Sequence, residues 1–237
     1  MPGLFQTLEI GRRALLAHQG ALQTIGHNIA NVNTPGYTRQ RINLSATFPE
    51  DSLYGKLGTG VGVNDIRHVR DLFLGEQLRQ ETKSFGQWSY KEKIVSQVEQ
   101  IFSEPQDNSL SDLMNRFWDA WGDLSTNPDS VSNRVAIVEE AKLMANSFHE
   151  LATQLDNLYQ SVDSEIVSTT GEINKLTGEI SRLNEQIKIQ ELGNSRANDL
   201  RDARDTLIND LALIIDVNTI TQPNGTTTVY IGAMTVV

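Results

Sequence analysis

An apolar seam close to the N-terminus constrains the fold of this chain more than any other feature. Between residues 4 and 32, seam positions recur at alternating spacings of four and three residues, the average period of a coiled-coil helix. The large apolar seam positions are Leu4, Leu8, Leu15, Leu22, Ile25, Ile29 and Val32. The other faces carry mostly amide, hydroxyl and small side chains, so this helix cannot be stable alone in water. The pattern predicts a helix whose seam is buried by a partner.

Two seam positions are not large and apolar. Gly11 either allows a neighbouring helix to approach closely or is a weak point in the helix, which costs about 1 kcal/mol relative to alanine. We interpret His18 as a polar residue that the seam tolerates, with a ligand role as the alternative.

The helix is predicted to stop at a compact turn. Proline disfavours helical backbone at the residue before it, which is Thr34. Pro35-Gly36 suits the two central positions of a type II turn, where glycine supplies a positive φ. Asn31 or Asn33 would cap the end of the helix. Residues 42–48 then alternate between apolar and polar side chains, which predicts a strand.

Helical patterns dominate the rest of the chain, and a hairpin is predicted near residues 217–232. We therefore predict a mainly α fold: an N-terminal coiled-coil-like helix followed by an elongated bundle of long antiparallel helices with small β elements. The predicted division is an N-terminal helix at 1–37, a β/loop connector at 38–69, an α-helical domain at 70–215 and the start of a β region at 216–237.

Charge and cysteine usage exclude several classes of partner. The net charge is −10, so nucleic acid and anionic lipid are poor general partners, and no segment is apolar enough for membrane insertion. Residues 1–48 carry four arginines and one glutamate, so the remainder holds the entire negative excess. The chain contains no cysteine, which excludes disulfides, thiolate metal sites and a cysteine nucleophile.

We find no catalytic, cofactor-binding or metal-binding pattern. The four histidines are far apart in sequence, and no nucleophile or metal-ligand motif accompanies them. Gly58, Gly60 and Gly62 superficially resemble a dinucleotide loop, but no buried strand and amphipathic helix flank them. The sequence therefore favours a protein without enzymatic activity.

Two other groups of residues have structural interpretations. Asp199, Asp202 and Asp205 lie at i, i+3 and i+6, and we interpret them as a solvated helix face with intrahelical ion pairs, a cation site being the alternative. We interpret Trp118 and Trp121 as core anchors of a short helix, with a subunit contact as the alternative.

The turn resembles a known family signature. An Asn-x-x-Asn pair followed by Asn-Thr-Pro-Gly-Tyr is similar to the N-terminal signature of bacterial flagellar axial proteins, the rod, hook and hook-associated proteins. The matching residues here are Asn28, Asn31, Asn33, Thr34, Pro35, Gly36 and Tyr37. Further stretches resemble the hook-associated protein 1 family specifically: Gly36–Gln40, Gly58–Arg79, Ile101–Pro128 and Ala197–Asp205.

This resemblance implies a structural subunit at the junction between hook and filament. It implies export through the flagellar type III apparatus without a cleaved signal peptide, and an extracellular location. The implied partners are copies of the same chain in a ring, the hook protein, the third hook-associated protein and an export chaperone, whose site would lie C-terminal to this sequence. The seam helix would pair within the inner tube of the assembly.

Three alternatives remain at this point. The first is a hook or distal-rod subunit, against which the long helical pattern of 132–192 argues. The second, from another class, is a flagellum-associated peptidoglycan hydrolase, which would need a carboxylate acid in a cleft. The third is a secreted coiled-coil effector or adhesin, and the Pro-Gly-Tyr signature argues against it.

Overall fold

The computed structural model describes residues 4–52, 55–102, 109–193 and 195–237. Its helices are α1 (Leu4–Ala30), α2 (Leu72–Phe102), α3 (Leu110–Thr126), α4 (Val131–Gln190) and α5 (Asn198–Ile214). Its strands are β1 (Gln40–Ala46), β2 (Glu50–Ser52), β3 (Gly55–Leu57), β4 (Val61–His68), β5 (Val217–Thr221), β6 (Thr227–Ile231) and β7 (Met234–Thr235). The predicted mainly α class is confirmed, together with the strand after residue 37 and the C-terminal hairpin.

The chain forms two compact units. The first contains Met1–Gly86 and Glu172–Val237, and the second contains Gln87–Gly171. The helices α2 and α4 contribute residues to both units because each passes through a boundary. The four-part division predicted from the sequence stays a prediction.

In the first unit, α4 and α5 pack against the C-terminal β-sheet. The sheet has the order β5-β6-β7, and all its strand pairs are antiparallel. The buried core combines Ile180 of α4, three α5 residues and one valine from each of β5 and β6: Ile208, Leu211, Ala212, Val217 and Val229. This core fixes one face of α5, so its opposite face is available to the N-terminal segment.

The helix α1 packs on the β1–β4 hairpin through its small residues. Ala17 is almost fully buried, and the Cδ1 atom of Ile42 lies 3.4 Å from the position that a Cβ at Gly20 would occupy. At Gly60, whose φ is 105°, a Cβ would approach the Cγ2 of Ile10 to 3.3 Å. Small side chains on both elements therefore let the helix and hairpin backbones come close.

A charged corner joins the end of α4 to the start of α5. Arg201 donates Nε and Nη2 to the two carboxylate oxygens of Glu191, at 2.7 and 2.6 Å. The backbone N–H of Ala197 also donates to Glu191, at 2.9 Å. Burial acts to raise the pKa of Glu191, but these hydrogen bonds outweigh it and hold the pKa below its ordinary value.

A buried polar group, Asn184 of α4, connects the same corner to the β5–β6 hairpin. Asn184 exchanges two hydrogen bonds with the backbone of Thr227, at 2.8 and 2.9 Å. Arg204 donates to the Asn184 side chain and to the carbonyl of Gly225. Burial lowers the pKa of Arg204, although its partner Asp205 opposes the shift. These bonds tie the turn between β5 and β6 to α4 and α5.

The second unit combines the later part of α2 with α3 and the first part of α4. Ser109 caps α3 by accepting the N–H of Asp112 at 3.2 Å. Leu113 is buried, whereas Trp118 is 63% exposed and Trp121 is 47% exposed. The prediction that these tryptophans are core anchors is wrong, because the inward face of α3 carries Leu113 and they lie on another face.

Across the described residues, no helix combines the length and the hydropathy that a bilayer crossing requires.

The contact between α2 and α5 gives the first testable prediction. A Cβ at Gly86 would overlap the carbonyl oxygen of Leu213, whereas a Cβ at Gly178 in α4 would meet no atom within 4 Å. We expect Gly86→Ala to lower the free energy of unfolding by about 1–3 kcal/mol. Gly178→Ala, the matched control, should raise it by roughly 0.5–1 kcal/mol. Chemical denaturation measures both, and stabilisation by both variants would contradict the close approach.

The Glu191–Arg201 pair predicts a pH dependence. The folded pKa of Glu191 is lowered, so its stabilisation is complete above the unfolded value near 4.5 and is lost as pH falls through the folded pKa. Glu191→Gln should cost roughly 2 kcal/mol at neutral pH and flatten the decline of stability between pH 4.5 and the lower folded value. The exposed Glu172→Gln is the control, and an unchanged acid limb for Glu191→Gln would contradict the pairing.

Candidate functional site

The turn after α1 is fastened by the side chain of Asn28. Its Oδ1 accepts the hydroxyl of Tyr37 at 2.7 Å and the backbone N–H of Gln40 at 2.8 Å. Its Nδ2 donates to the carbonyl of Gln40 at 2.8 Å. One side-chain amide therefore pairs with both the backbone N–H and the carbonyl of Gln40, the first residue of β1, and also holds Tyr37. The strand consequently begins at a fixed position beside the helix.

Asn31 caps the helix end, which decides between the two predicted capping residues. Its Nδ2 donates to the carbonyl of His27 at 3.0 Å, and its Oδ1 accepts the hydroxyl of Thr34 at 3.2 Å. The N–H of Tyr37 donates to the carbonyl of Thr34 at 3.2 Å, which closes the predicted turn. Asn33 and Pro35 are exposed.

Gly36 is required for two independent reasons. Its φ of 77° lies in the region that favours glycine, as the type II turn predicted. A Cβ at this position would also overlap the hydroxyl oxygen of Thr206 on α5. The turn therefore lies directly against α5, a contact that the local sequence pattern does not reveal.

The carboxylates of α5 form the other half of this contact. Asp202 is buried and accepts the backbone N–H of Thr38 at 2.9 Å. Asp199 accepts the side-chain amide of Gln40 at 2.7 Å. Asp205 pairs with Arg70, which follows β4. We call these three carboxylates, together with their partners Thr38, Gln40 and Arg70, the joint.

Two histidines also face these carboxylates. The Nε2 of His27 lies 3.4 Å from Asp199, and the Nδ1 of His68 lies 3.2 Å from Asp202. The second distance is short, but its geometry does not make a hydrogen bond, since the Oδ1 of Asp202 has no hydrogen-bond donor among the described residues. We therefore assign the anchoring of the turn to the Thr38 N–H.

The interpretation of this acidic stripe as a solvated face with intrahelical ion pairs holds only in part: Asp199 is exposed and Asp205 pairs with its neighbour Arg204, but the rest of the interpretation is wrong. Asp202 is buried, and the partners of all three carboxylates come from the N-terminal 70 residues rather than only from α5. The reason is that the hydrophobic core occupies the opposite face of α5. The alternative of a cation site has no support, because no group of three suitable side chains is arranged to hold a metal in the described parts of the chain.

Tyr37 keeps its proton in this environment. Burial raises the pKa of its hydroxyl, and the negative charges of Asp199 and Asp202 raise it further. A protonated hydroxyl can donate to Asn28, which a phenolate could not. The ring edge of Tyr37 also contacts His27, with ring centroids 5.4 Å apart. The tyrosine thus links the helix end to the acidic stripe.

The seam of α1 lies on the face opposite the hairpin. The seam has six described large side chains, five on α1 and Val32 just after its end, and they are between 53% exposed at Ile25 and 73% exposed at Val32. The other four are Leu8, Leu15, Leu22 and Ile29. The side chain of Leu4 lies outside the described part of the structure. Gly11 and His18 are exposed as well, and nothing in the described chain approaches Gly11 closely.

An open groove of about 730 Å³ lies beside the joint. Its walls come from β1, β4, the end of α4 and the start of α5, and its lining is largely amide and aliphatic. Arg196 and Asp199 are the charged groups in that lining, at separate positions. This arrangement offers no general acid–base pair and no nucleophile with a base.

The sequence patterns identified the turn but not the face of α5 against which it packs. The spacing of Asp199, Asp202 and Asp205 at i, i+3 and i+6 was visible and does place them on one helix face. Their partners, Thr38 and Arg70 among them, are more than 130 positions away in sequence, so no local rule connects them. The one signal in the sequence that could have suggested the pairing was opposite charge: basic side chains cluster at residues 67–70, and acidic side chains recur at residues 199–205.

The joint predicts a specific sensitivity at Gly36. Gly36→Ala should lower the free energy of unfolding by about 2 kcal/mol or more, because the positive φ and the overlap with Thr206 both oppose a Cβ. Combining it with Thr206→Ala should recover part of the loss, since only the φ cost remains. Gly26→Ala in α1, where a Cβ meets no atom within 4 Å, is the control and should be neutral or stabilising. Equal effects at residues 26 and 36 would contradict the contact.

Comparisons with known proteins place the chain in a family. A family model described as the flagellar hook-associated protein FlgK helical domain matches residues 95–237, and one described as a flagella basal body rod protein matches residues 8–38. Flagellar hook-associated protein 1 of Bacillus subtilis is 34% identical over 92% of this chain and 44% of that protein. The Salmonella typhimurium protein of the same name is 29% identical over 90% of this chain and 38% of that protein.

The chain thus spans about two fifths of the length of these relatives. The helical-domain match begins within α2 and continues to residue 237, so it covers more than half of the chain. The rod-protein match covers α1 from residue 8 onward and the turn, the segment that the joint fastens to α5. Taken together, these matches show that the chain belongs to the flagellar hook-associated protein FlgK family.

Proposed function

We propose that this chain is a structural assembly subunit at the junction between the hook and the filament of the bacterial flagellum. The single observation that supports this most strongly is the exposed seam of α1 on a helix that is otherwise firmly attached. The opposite, small-residue face already packs on the β1–β4 hairpin. The large apolar side chains therefore remain for burial on assembly.

Burial of the seam would supply the driving force. Each large aliphatic side chain contributes about 1.5–3 kcal/mol when it passes from full exposure to full burial. Six described seam residues are more than half exposed in the isolated chain. Association also costs translational and rotational entropy, which the burial of the seam has to exceed. A contact that is repeated between many copies buries more apolar surface than a single contact, and therefore meets this requirement better.

The joint would transmit the position of the seam to the rest of the subunit. Asn28 and the α5 carboxylates hold the turn through hydrogen bonds to backbone groups as well as side chains. Such bonds fix the direction in which the chain leaves α1. In the proposed assembly, the helix would lie in the inner tube, and residues 70–215 would form an outer helical domain.

The proposed partners are further copies of the chain in a ring, the hook protein and the third hook-associated protein. Export would proceed through the flagellar type III apparatus without a cleaved signal peptide, to an extracellular location. The relatives named hook-associated protein 1 support a flagellar role. The seam residues and the turn from Asn28 to Tyr37 are the proposed assembly site.

A hook or distal-rod subunit is the second candidate, because the rod-protein match covers most of α1 and the turn. That match ends at residue 38, however, whereas the hook-associated helical-domain match occupies residues 95–237. Immunogold labelling distinguishes the two: label confined to the junction supports our proposal, and label along the hook or rod supports the alternative.

The assembly role predicts a separation between folding and incorporation. Leu22→Asp combined with Ile25→Asp should leave the helical body folded, because both side chains are more than half exposed. The two carboxylates should nevertheless stop incorporation at the hook, since burying an unpaired charge costs far more than the seam gains. Circular dichroism checks the fold, and immunolabelling of hook tips together with motility checks incorporation.

The matched control is Gln19→Asp combined with Gln23→Asp, two exposed positions of α1 outside the seam. It adds the same charge to the same helix and should preserve incorporation. Normal junctions built by the seam variant would refute the proposed function.

A further inference from the structure

The outer face of the β1–β4 hairpin concentrates positive charge. Arg41 and Arg67 are directly opposite each other in the antiparallel ladder. The carbonyl of Arg39 accepts the N–H of Val69 at 2.8 Å, which continues the pairing, and the two-residue spacing places Arg39 on the same face as Arg41. Ile42, the next residue along β1, instead faces Gly20 of α1. The arginines therefore point away from the helix that covers the hairpin.

The carboxylate of Asp65 lies among these arginines. Asp65 pairs with Arg67, and the Nε of Arg196 lies 4.0 Å from it. The hydrogen bonds from Arg67 and Asn43 lower the pKa of Asp65, so it is fully charged at neutral pH. Arg39 and Arg41 are exposed and make no ion pair within the described residues. We call Arg39, Arg41, Arg67 and Arg196 the arginine face.

Folding alone does not account for this cluster. Like charges directly opposite each other on one face of a strand pair are destabilising. A guanidinium presents planar donors that match carboxylates in a bidentate geometry and also stacks on aromatic rings. A partner surface rich in carboxylates would therefore remove the repulsion and satisfy the exposed donors together.

Every copy of this chain carries such a surface. Residues 87–171 contain five lysines or arginines against fourteen aspartates or glutamates, so nearly the whole net charge of the chain lies there. On α4, Asp156, Tyr159 and Asp163 are spaced at i, i+3 and i+7 and share one helix face. All three are exposed, Tyr159 to 72%, and Asp163 makes no ion pair among the described residues.

We propose that the arginine face docks on the Asp156–Tyr159–Asp163 face of a second copy of this chain. The contact is heterologous, because two different surfaces meet, and such a contact is the kind that builds rings and helical assemblies. The carboxylates accept the guanidinium donors, and Tyr159 offers a ring on which an arginine stacks. The inference rests on the proposed function, since it names a contact between neighbouring subunits.

Complementation between two variants tests this contact. Arg39→Glu with Arg41→Glu destroys the arginine face but keeps the acidic face. Asp156→Arg with Asp163→Arg does the reverse. Both are made in the Leu22→Asp, Ile25→Asp background, so that the seam makes no contribution. Self-association at low salt is measured by sedimentation velocity for each variant alone and for their equimolar mixture.

Each variant alone should associate roughly tenfold more weakly than the parent chain, and the mixture should recover much of the loss because intact faces meet in it. Association of the parent should weaken as salt rises from 50 to 500 mM, since both faces are exposed and the higher concentration shortens the Debye length to roughly 4 Å. The matched control is Lys175→Glu with Arg182→Glu, two exposed cations of α4 with the same total change in charge. The control should associate as the parent does.

Three results would overturn the proposal: unchanged association of the arginine-face variant, no recovery in the mixture, or an equal loss in the control. None of these three results depends on the seam residues. If the arginine face proves to make no contact but incorporation at the junction still depends on Leu22 and Ile25, the proposed function remains intact. Normal incorporation of the seam variant would instead refute that function, whatever the sedimentation result.

Discussion

The hydrogen bond from the Thr38 N–H to the buried carboxylate of Asp202 is the contact on which the arrangement of the N-terminal segment depends. It attaches backbone at the start of the connector to the middle of α5, which the hydrophobic core already holds. Gln40 and Arg70 repeat the attachment at Asp199 and Asp205. Because the three carboxylates follow one helix face, they set the connector along α5 rather than at a single point.

This attachment gives α1 two faces with different roles. Ala17 and Gly20 let the helix lie close to the hairpin, where the small side chains make the contact shallow and tight. The large aliphatic side chains of the seam are left on the other side, at positions such as Leu22 and Ile29. A helix that used its large residues to pack on its own chain would have no apolar surface to offer another subunit. In the proposed assembly, this division of small and large residues would separate folding from the contact between subunits.

Local sequence rules identified the elements because their causes are local. The apolar period of residues 4–32 and the proline after Thr34 each act within a few residues, and the structure confirms the helix and the turn. The same rules failed at α5 and α3. Asp202 is buried although aspartate is usually exposed, and Trp118 is exposed although tryptophan is usually buried.

The sequence by itself determined the mainly α class, the turn, the strand after residue 37, the C-terminal hairpin and the resemblance to flagellar axial proteins, since all of these follow from short-range periodicity and motif. Only the tertiary structure decided which partner each polar group meets. The pairing of Thr38 with Asp202 joins residues 164 positions apart, and it exists because the core turns one face of α5 inward and leaves its carboxylates facing the connector. Such a pairing depends on the packing of the whole unit, which no local window contains.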